Sequence, residues 1–239
     1  MSDSLEVYVP SRLSDITLEQ YVKWVKVVTA NGSDEKSEFL DRKLVEVFCG
    51  LTNSQVDEIK YSEFSKILDV LSGALSEEVP DLISRFEMDG VEYGFVPNIE
   101  EICTGAYIDA EKGMVEWSTC HEAMSALYRP ITHIRKAGDL EQYEIEKYSP
   151  TALKAEVMKR IPVNVAISAR VFFYTLNKEL LETILKYLAQ GRMKITKEEQ
   201  QVMKTLLLKN GDGMRQFIHL QEEGISTLRK LPVVHYFQH

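Results

Sequence analysis

Hydrophobic residues recur every three or four positions through the first 75 residues of the chain, which is the spacing of one helix face. This pattern predicts helices over about residues 17–31, 34–49 and 63–75. Thr17 and Gln20 have the spacing of a capping box at the start of the first helix. Gly50 is suited to end the second helix, and the alternating segment Leu5–Pro10 predicts an edge strand ahead of all three.

The middle of the chain changes to alternation with a period of two. Asp89-Gly90 lies between two alternating runs and favours a tight type I′ turn, because both of its residues tolerate a positive φ. We therefore predict a β-hairpin over residues 82–96 and a second hairpin around Gly138-Asp139. Between them, residues 117–128 predict a helix that ends before Pro130.

The last third of the chain returns to helical spacing. Ser149-Pro150 predicts the start of a helix that runs through Lys159. Residues 163–189 then predict one helix about 40 Å long. Its first half is apolar on nearly all sides, so we expect it to lie in the core or against a partner. Residues 197–208 and 213–231 predict a terminal pair of helices.

These elements together predict an α+β fold that is mainly α-helical, with helical blocks at both ends around a small antiparallel sheet of hairpins. The chain divides into an N-terminal helical block with an edge strand (1–80), a hairpin-containing α+β middle (81–148) and a C-terminal helical block (149–239). No flexible linker separates the blocks, so one continuous domain is the alternative.

Acidic residues dominate the charge of the chain, with 37 Asp and Glu against 28 Lys and Arg among 239 residues and a net charge of −9. This balance disfavours nucleic acid as a partner, because contacts to phosphates supply most of the affinity for it. Basic residues still collect locally, and such a patch suits an acidic partner. The local groups are Arg129, Arg135 and Lys136, then Lys154, Lys159 and Arg160, then Arg229 and Lys230.

The chain has the features of a cytoplasmic protein that does not associate with a membrane. The longest apolar stretch, residues 161–176, is interrupted by polar residues and is shorter than the ~20 residues that cross a bilayer. The three cysteines, Cys49, Cys103 and Cys120, cannot all pair and form no CxxC motif, so we expect reduced thiols.

No sequence motif indicates catalysis. The five histidines do not have zinc-ligand spacing, and the adjacent pair Cys120-His121 would point ~100° apart on a helix. The chain also lacks a GxSxG serine elbow, a phosphate-binding loop and a GxGxxG motif. We therefore expect no catalytic residue, no metal site and no cofactor, and we interpret the chain as non-enzymatic.

The order of several motifs in the middle of the chain gives a family resemblance. The segment RFEMDGVEYGFVP (85–97) is followed by ICTGAYID (102–109), then by ALYRP (126–130) and VFFY (171–174). This succession, over about residues 82–174, resembles small proteins from the structural gene modules of tailed bacteriophages. It resembles phage tail assembly chaperones more loosely.

The resemblance implies a phage morphogenesis protein that acts in the host cytoplasm. A tail assembly chaperone binds helical partners such as the tape-measure protein, so the expected partners are other phage structural or assembly proteins and further copies of the chain. Two alternatives stay open. One is a structural virion component (a head-tail connector, tail or baseplate protein), and the other is a phage-encoded module that binds a host protein.

A long helical client needs its apolar stripe covered by surfaces of matching spacing. Residues 163–176 and the apolar end of the chain are the candidates for such a surface. The predicted partner-binding residues are Val171, Phe172, Tyr174, Val234, Tyr236 and Phe237.

Overall fold

The computed structural model describes residues 6–31, 38–78, 81–137 and 140–189. Over these ranges the fold is mainly α-helical with a small four-stranded antiparallel sheet, which confirms the predicted α+β class. The helices are α1 (Leu18–Asn31), α2 (Glu38–Cys49), α3 (Asn53–Glu58), α4 (Tyr61–Leu75), α5 (Thr104–Val115), α6 (Cys120–Leu127), α7 (Ala152–Val157) and α8 (Val163–Ala189). The strands are β1 (Arg85–Met88), β2 (Val91–Phe95), β3 (Tyr128–Ala137) and β4 (Leu140–Ile145).

Local signals set the ends of the N-terminal helices. The Gln20 backbone N–H donates to Thr17 Oγ1 (3.2 Å), and the Thr17 backbone N–H donates to Gln20 Oε1 (2.9 Å), which confirms the predicted capping box. Gly50 follows the last residue of α2 with a φ of +67°, a conformation that glycine adopts without strain. The predicted helix end at Gly50 is therefore confirmed.

Two predictions for the N-terminal block are wrong. Residues 6–10 form no strand, because an alternating segment becomes a strand only where another strand lies beside it to pair with. Val9 packs against the neighbouring helices instead. Helical spacing also predicts that Phe39 lies on the buried face of α2, but its side chain is 43% exposed, whereas Val45 on the same helix is fully buried.

The sheet has the strand order β1-β2-β3-β4, with antiparallel pairing throughout. Asp89 (φ +53°) and Gly90 (φ +74°) form the turn between β1 and β2, as the sequence predicts. The second predicted hairpin is confirmed as β3 and β4, with a bulge in the register between Ile131 and His133. Tyr143 of β4 reaches back over the sheet, and its hydroxyl donates to the carbonyl of Phe95 (2.8 Å).

The segment between the hairpins differs from its prediction. The sequence predicts one helix over residues 117–128, but the chain forms a short 3-10 turn at Trp117–Thr119 and then α6, and β3 already begins at Tyr128. Pro130 lies within β3, where it pairs with Tyr93. The sequence analysis also missed α5, whose buried positions are mostly small residues.

The C-terminal helices are close to their predictions. Thr151, rather than Ser149-Pro150, caps α7, because its side chain accepts from the backbone N–H of Lys154 (3.2 Å). The predicted long helix is confirmed as α8. The predicted helices over 197–208 and 213–231 lie outside the described residues.

Buried side chains form two clusters. The first, which we call the sheet core, lies between the sheet, α5, α6 and α8 and includes Tyr93, Phe95, Ala110, Met124, Leu127, Tyr128, Val165 and Phe173. The second, which we call the helical core, lies among α1, α2, α4 and α8 and includes Tyr21, Trp24, Leu44, Val45, Phe48, Leu71, Val163 and Ile167. The first turns of α8 therefore contribute to both clusters.

The start of α8 is also fixed by backbone contacts to the N-terminal segment. Thr17 and Pro162 form an antiparallel bridge. The Val163 N–H donates to the Ile16 carbonyl (2.8 Å), and the Leu18 N–H donates to the Ile161 carbonyl (2.9 Å). These bonds hold α8 against the beginning of α1.

Candidate functional site

The predicted partner-binding residues of α8 face different environments. Val171 is 39% exposed. Phe172 is half-buried, and its ring meets the ring of Phe95 edge-on at 5.5 Å. Tyr174 is half-buried as well. Of the three, Val171 is thus the side chain most available to another protein; Val234, Tyr236 and Phe237 lie outside the described residues.

A second surface with exposed apolar side chains lies on α5, and we call it the α5 face. Tyr107, Ile108 and Val115 are 37%, 40% and 59% exposed. At 100° per residue, these three side chains and the exposed Glu111 fall within about one quarter of the helix circumference. The α5 face is therefore an exposed stripe about 12 Å long.

Buried small residues hold α5 in place behind this stripe. Ala106 and Ala110 are fully buried in the sheet core. A Cβ at Gly113 would lie 2.6 Å from the backbone nitrogen of Ala123 on α6, so only glycine permits this close approach. The α5 face is thus presented by a helix whose opposite side is packed tightly.

A small cleft with charged residues in a largely apolar lining lies on another part of the molecule, between the sheet, α6 and α7. It encloses about 80 Å³, far less than the roughly 300–1,000 Å³ of pockets that enclose a whole small molecule. Its lining residues are Tyr93, Ser125, Tyr128, Arg129, Pro130, Glu146, Ser149, Lys154, Val157 and Met158. The size suits one side-chain head group rather than a metabolite.

Two cations and one carboxylate determine the electrostatics of this cleft. Arg129 Nη1 donates to the backbone carbonyl of Glu146 (2.9 Å). Lys154 Nζ lies 2.9 Å from Glu146 Oε1. One glutamate therefore supplies an acceptor to both basic residues, through its backbone and through its side chain.

Aromatic and acidic groups surround the other side of Arg129. Its guanidinium lies 5.9 Å from the centre of the Tyr148 ring, and the Tyr148 hydroxyl donates to the carboxylate of Asp109. Burial, and then the hydrogen bond to Asp109, raise the pKa of Tyr148, while burial lowers the pKa of Arg129. Tyr148 is therefore a neutral hydroxyl at physiological pH.

A second buried cation lies where the two cores meet. Arg170 is 2% exposed, and its guanidinium lies 4.1 Å from the centre of the Trp117 ring. It also interacts with the Cys120 thiol and with Tyr21, whose pKa burial raises to about 12. Trp117 packs against both cores, so this cluster joins them.

The three cysteines and the histidine next to Cys120 lie in different environments. Cys120 is fully buried, and burial raises the pKa of its thiol. Cys49 is half-buried, with a pKa raised by burial to about 11, while Cys103 is exposed. The neighbouring His121 lies 3.9 Å from Glu156, and burial lowers its pKa. Among the described residues no group of three or more His, Cys, Asp and Glu side chains has the arrangement of a metal site.

No helix in the described part of the chain has the length and hydropathy needed to span a membrane. Comparison of the chain with protein-family models, curated proteins and solved structures finds no match.

The sequence analysis missed the α5 face because it missed α5. The signal was the spacing of Ile108 and Val115, seven residues apart on the same side of a helix. It named Arg129 and Lys154 as basic residues but did not place them together, because the contact joins β3 to α7 and depends on the tertiary fold.

Proposed function

We propose that this chain is a non-enzymatic morphogenesis protein of a tailed bacteriophage, a tail assembly chaperone-like factor that binds helical segments of assembly partners such as the tape-measure protein. The observation that carries the proposal is the α5 face, where three apolar side chains and Glu111 are exposed on a helix that is packed tightly on its other side. The order of motifs over residues 82–174 supports the phage assignment.

An amphipathic client helix exposes apolar side chains at intervals of three and four residues. Ile108 and Val115 are seven residues apart, which is one interval of three plus one of four, so these two side chains can interdigitate with such a stripe as packed helices do. The rigid backing from Ala106, Ala110 and Gly113 lowers the entropy lost on binding. The net charge of −9 keeps unassembled copies apart in solution.

Co-purification from infected cells tests the proposed role. We expect the tagged chain to co-purify with the tape-measure protein and to be missing from mature particles analysed by mass spectrometry. A chain present in particles at fixed stoichiometry would overturn the chaperone role in favour of a virion component. Specific recovery of a host protein in place of phage proteins would overturn it in favour of a host-directed module.

A pair of surface variants tests the α5 face itself. Ile108→Asp combined with Val115→Asp places charge on exposed positions, so we expect an unchanged circular dichroism spectrum and at least a tenfold loss of client affinity. Val70→Asp is the matched control, because Val70 on α4 is 41% exposed and lies on another helix. Equal affinity of the double variant and the control would overturn the assignment of this face.

A further inference from the structure

The small cleft between the sheet, α6 and α7 is lined by an unequal set of charges. Arg129 and Lys154 line it from β3 and α7, and the carboxylate that lines it with them is Glu146. The hydrogen bond from Arg129 Nη1 goes to the backbone carbonyl of Glu146, while the carboxylate of Glu146 pairs with Lys154 and also attracts the Arg129 guanidinium. Two cations thus share one carboxylate. The cleft therefore has an excess of positive charge in a chain that is acidic overall.

The ion pair within the cleft is open to exchange. The side chains of Lys154 and Glu146 are 40% and 41% exposed, and an ion pair that water reaches contributes only about 0–1 kcal/mol. A carboxylate from another molecule can therefore replace that of Glu146 on Lys154 at little cost. Arg129 is half-buried, and its contacts with the Glu146 carbonyl and the Tyr148 ring hold it in place. Its positive charge therefore has a fixed position in the cleft.

An exposed apolar residue lies on α7 one helical turn before a residue that lines the cleft. Leu153 on α7 is 76% exposed. Val157, one helical turn later on the same side of α7, lines the cleft. A ligand that reaches the two cations thus also meets an apolar side chain at the rim.

We propose that this cleft binds an acidic side chain of a partner protein, with the carboxylate between Arg129 and Lys154 and a neighbouring apolar residue of the partner packed on Leu153. Ser149 lines the same cleft, and its hydroxyl can donate to the second carboxylate oxygen. This inference rests on the proposed protein-binding function only in taking the ligand to be a segment of a protein.

Titration followed by ¹H–¹⁵N NMR tests the cleft on the full chain. The probes are two acetylated, amidated hexapeptides, Ala-Ala-Leu-Glu-Ala-Ala and the same peptide with Gln in place of Glu. We expect the Glu peptide to bind with a Kd on the order of 1 mM at low salt and to shift amides around Ser125, Arg129 and Lys154. The Gln peptide should bind about fivefold more weakly, the value of one partly exposed charge pair.

Three variants assign the binding to the cleft. Lys154→Met removes the charge but keeps the side-chain stem, and should weaken binding of the Glu peptide about fivefold. Glu146→Gln removes the internal competitor and should tighten it. Lys159→Met is the matched control, because Lys159 pairs with Glu156 and does not line the cleft, so it should bind like the unmodified chain.

Several outcomes would overturn the proposal. One is an equal loss of affinity in Lys154→Met and Lys159→Met, and another is weaker binding by Glu146→Gln. Inorganic phosphate that shifts the cleft amides while the Glu peptide does not would show a site for small anions instead. Tape-measure co-purification is a separate measurement, so the cleft assignment and the proposed function can fail independently.

Discussion

Asp41 is an acid whose environment opposes its charge. It lies half-buried near the start of α2, one turn after Glu38. Burial, and then repulsion by Glu38, raise the pKa of Asp41 to about 6. The folded state therefore favours the protonated carboxyl group, and the ionised form that exists at pH 7 lowers stability.

We expect Asp41→Asn to stabilise the protein by about 1 kcal/mol at pH 8, after allowance for solvent screening of a half-buried group. Because the folded pKa is raised, the stability that Asp41 contributes is present at low pH and is lost as the pH rises through about 6. The gain from the substitution should therefore be smaller at pH 5. Urea unfolding at the two pH values measures it.

Asp69→Asn is the control for this substitution, because Asp69 is an exposed acid on α4. A gain of equal size at both pH values, or the same gain in the control, would contradict the assignment.

Sequence predicts features of single residues when their cause is local. The Thr17–Gln20 capping box and the turn at Asp89-Gly90 depend on neighbours within three positions, and both are confirmed. The raised pKa of Asp41 depends on burial by other elements, which spacing along the chain does not reveal.

At the scale of elements, α5 shows why a helix can be missed. Its buried positions include Ala106, Ala110 and Gly113, and such small side chains do not produce a hydrophobic stripe. Among its larger apolar residues, Met114 is buried, whereas Tyr107, Ile108 and Val115 lie on the exposed side. Hydrophobic periodicity identifies helices that bury large side chains, as α8 does, and fails for one that packs through small residues.

Replacement by alanine should change the free energy of unfolding in opposite directions at two glycines that lie in helices. Gly113→Ala brings a Cβ to 2.6 Å from the Ala123 nitrogen, so we expect a loss of about 1–3 kcal/mol in the free energy of unfolding. Gly73→Ala, in the interior of α4 with nothing within 4 Å of the added Cβ, should gain about 1 kcal/mol from helix propensity. Urea denaturation of both variants compares them, and a stabilised Gly113→Ala would refute the close packing of α5 on α6.

At the scale of the whole molecule, α8 connects the two cores. Val163 and Ile167 belong to the helical core, while Val165 and Phe173 of the same helix belong to the sheet core. Arg170 and Trp117 lie at the boundary between them. This arrangement predicts that the described part of the chain unfolds as one cooperative unit, and so favours one continuous domain over separate blocks.

The ¹⁹F NMR signal of Trp24 tests this cooperativity. The chain has two tryptophans, and both are labelled with 5-fluorotryptophan; a Trp24→Phe sample assigns the signals, so that the contact of Trp117 with Arg170 stays intact in the chain under test. In the labelled chain we expect Met124→Ala, which empties a buried site in the sheet core, to lower the unfolding free energy reported by Trp24 by about 2–5 kcal/mol. Leu44→Ala, in the helical core itself, is the positive control. A Trp24 transition that shifts for Leu44→Ala and stays in place for Met124→Ala would show two independent domains.

The candidate surfaces follow from the same long-range organisation. Arg129, Glu146 and Lys154 come from β3, the segment after β4, and α7, and they meet only when the sheet is formed and α7 packs beside α6. The sequence therefore predicts the residue types of the cleft but not their assembly.

The bridge between Thr17 and Pro162 has a consequence for synthesis on the ribosome. Translation releases α1 to α4 long before Val163 and Ile167 exist, yet those two side chains complete the core of these helices. Until these residues are synthesised, the nascent N-terminal helices expose apolar surface to solvent, and chains in such a state aggregate readily. Slow translation between residues 75 and 167 would lengthen that exposure, so the yield of native protein should depend on the speed of the ribosome through this stretch.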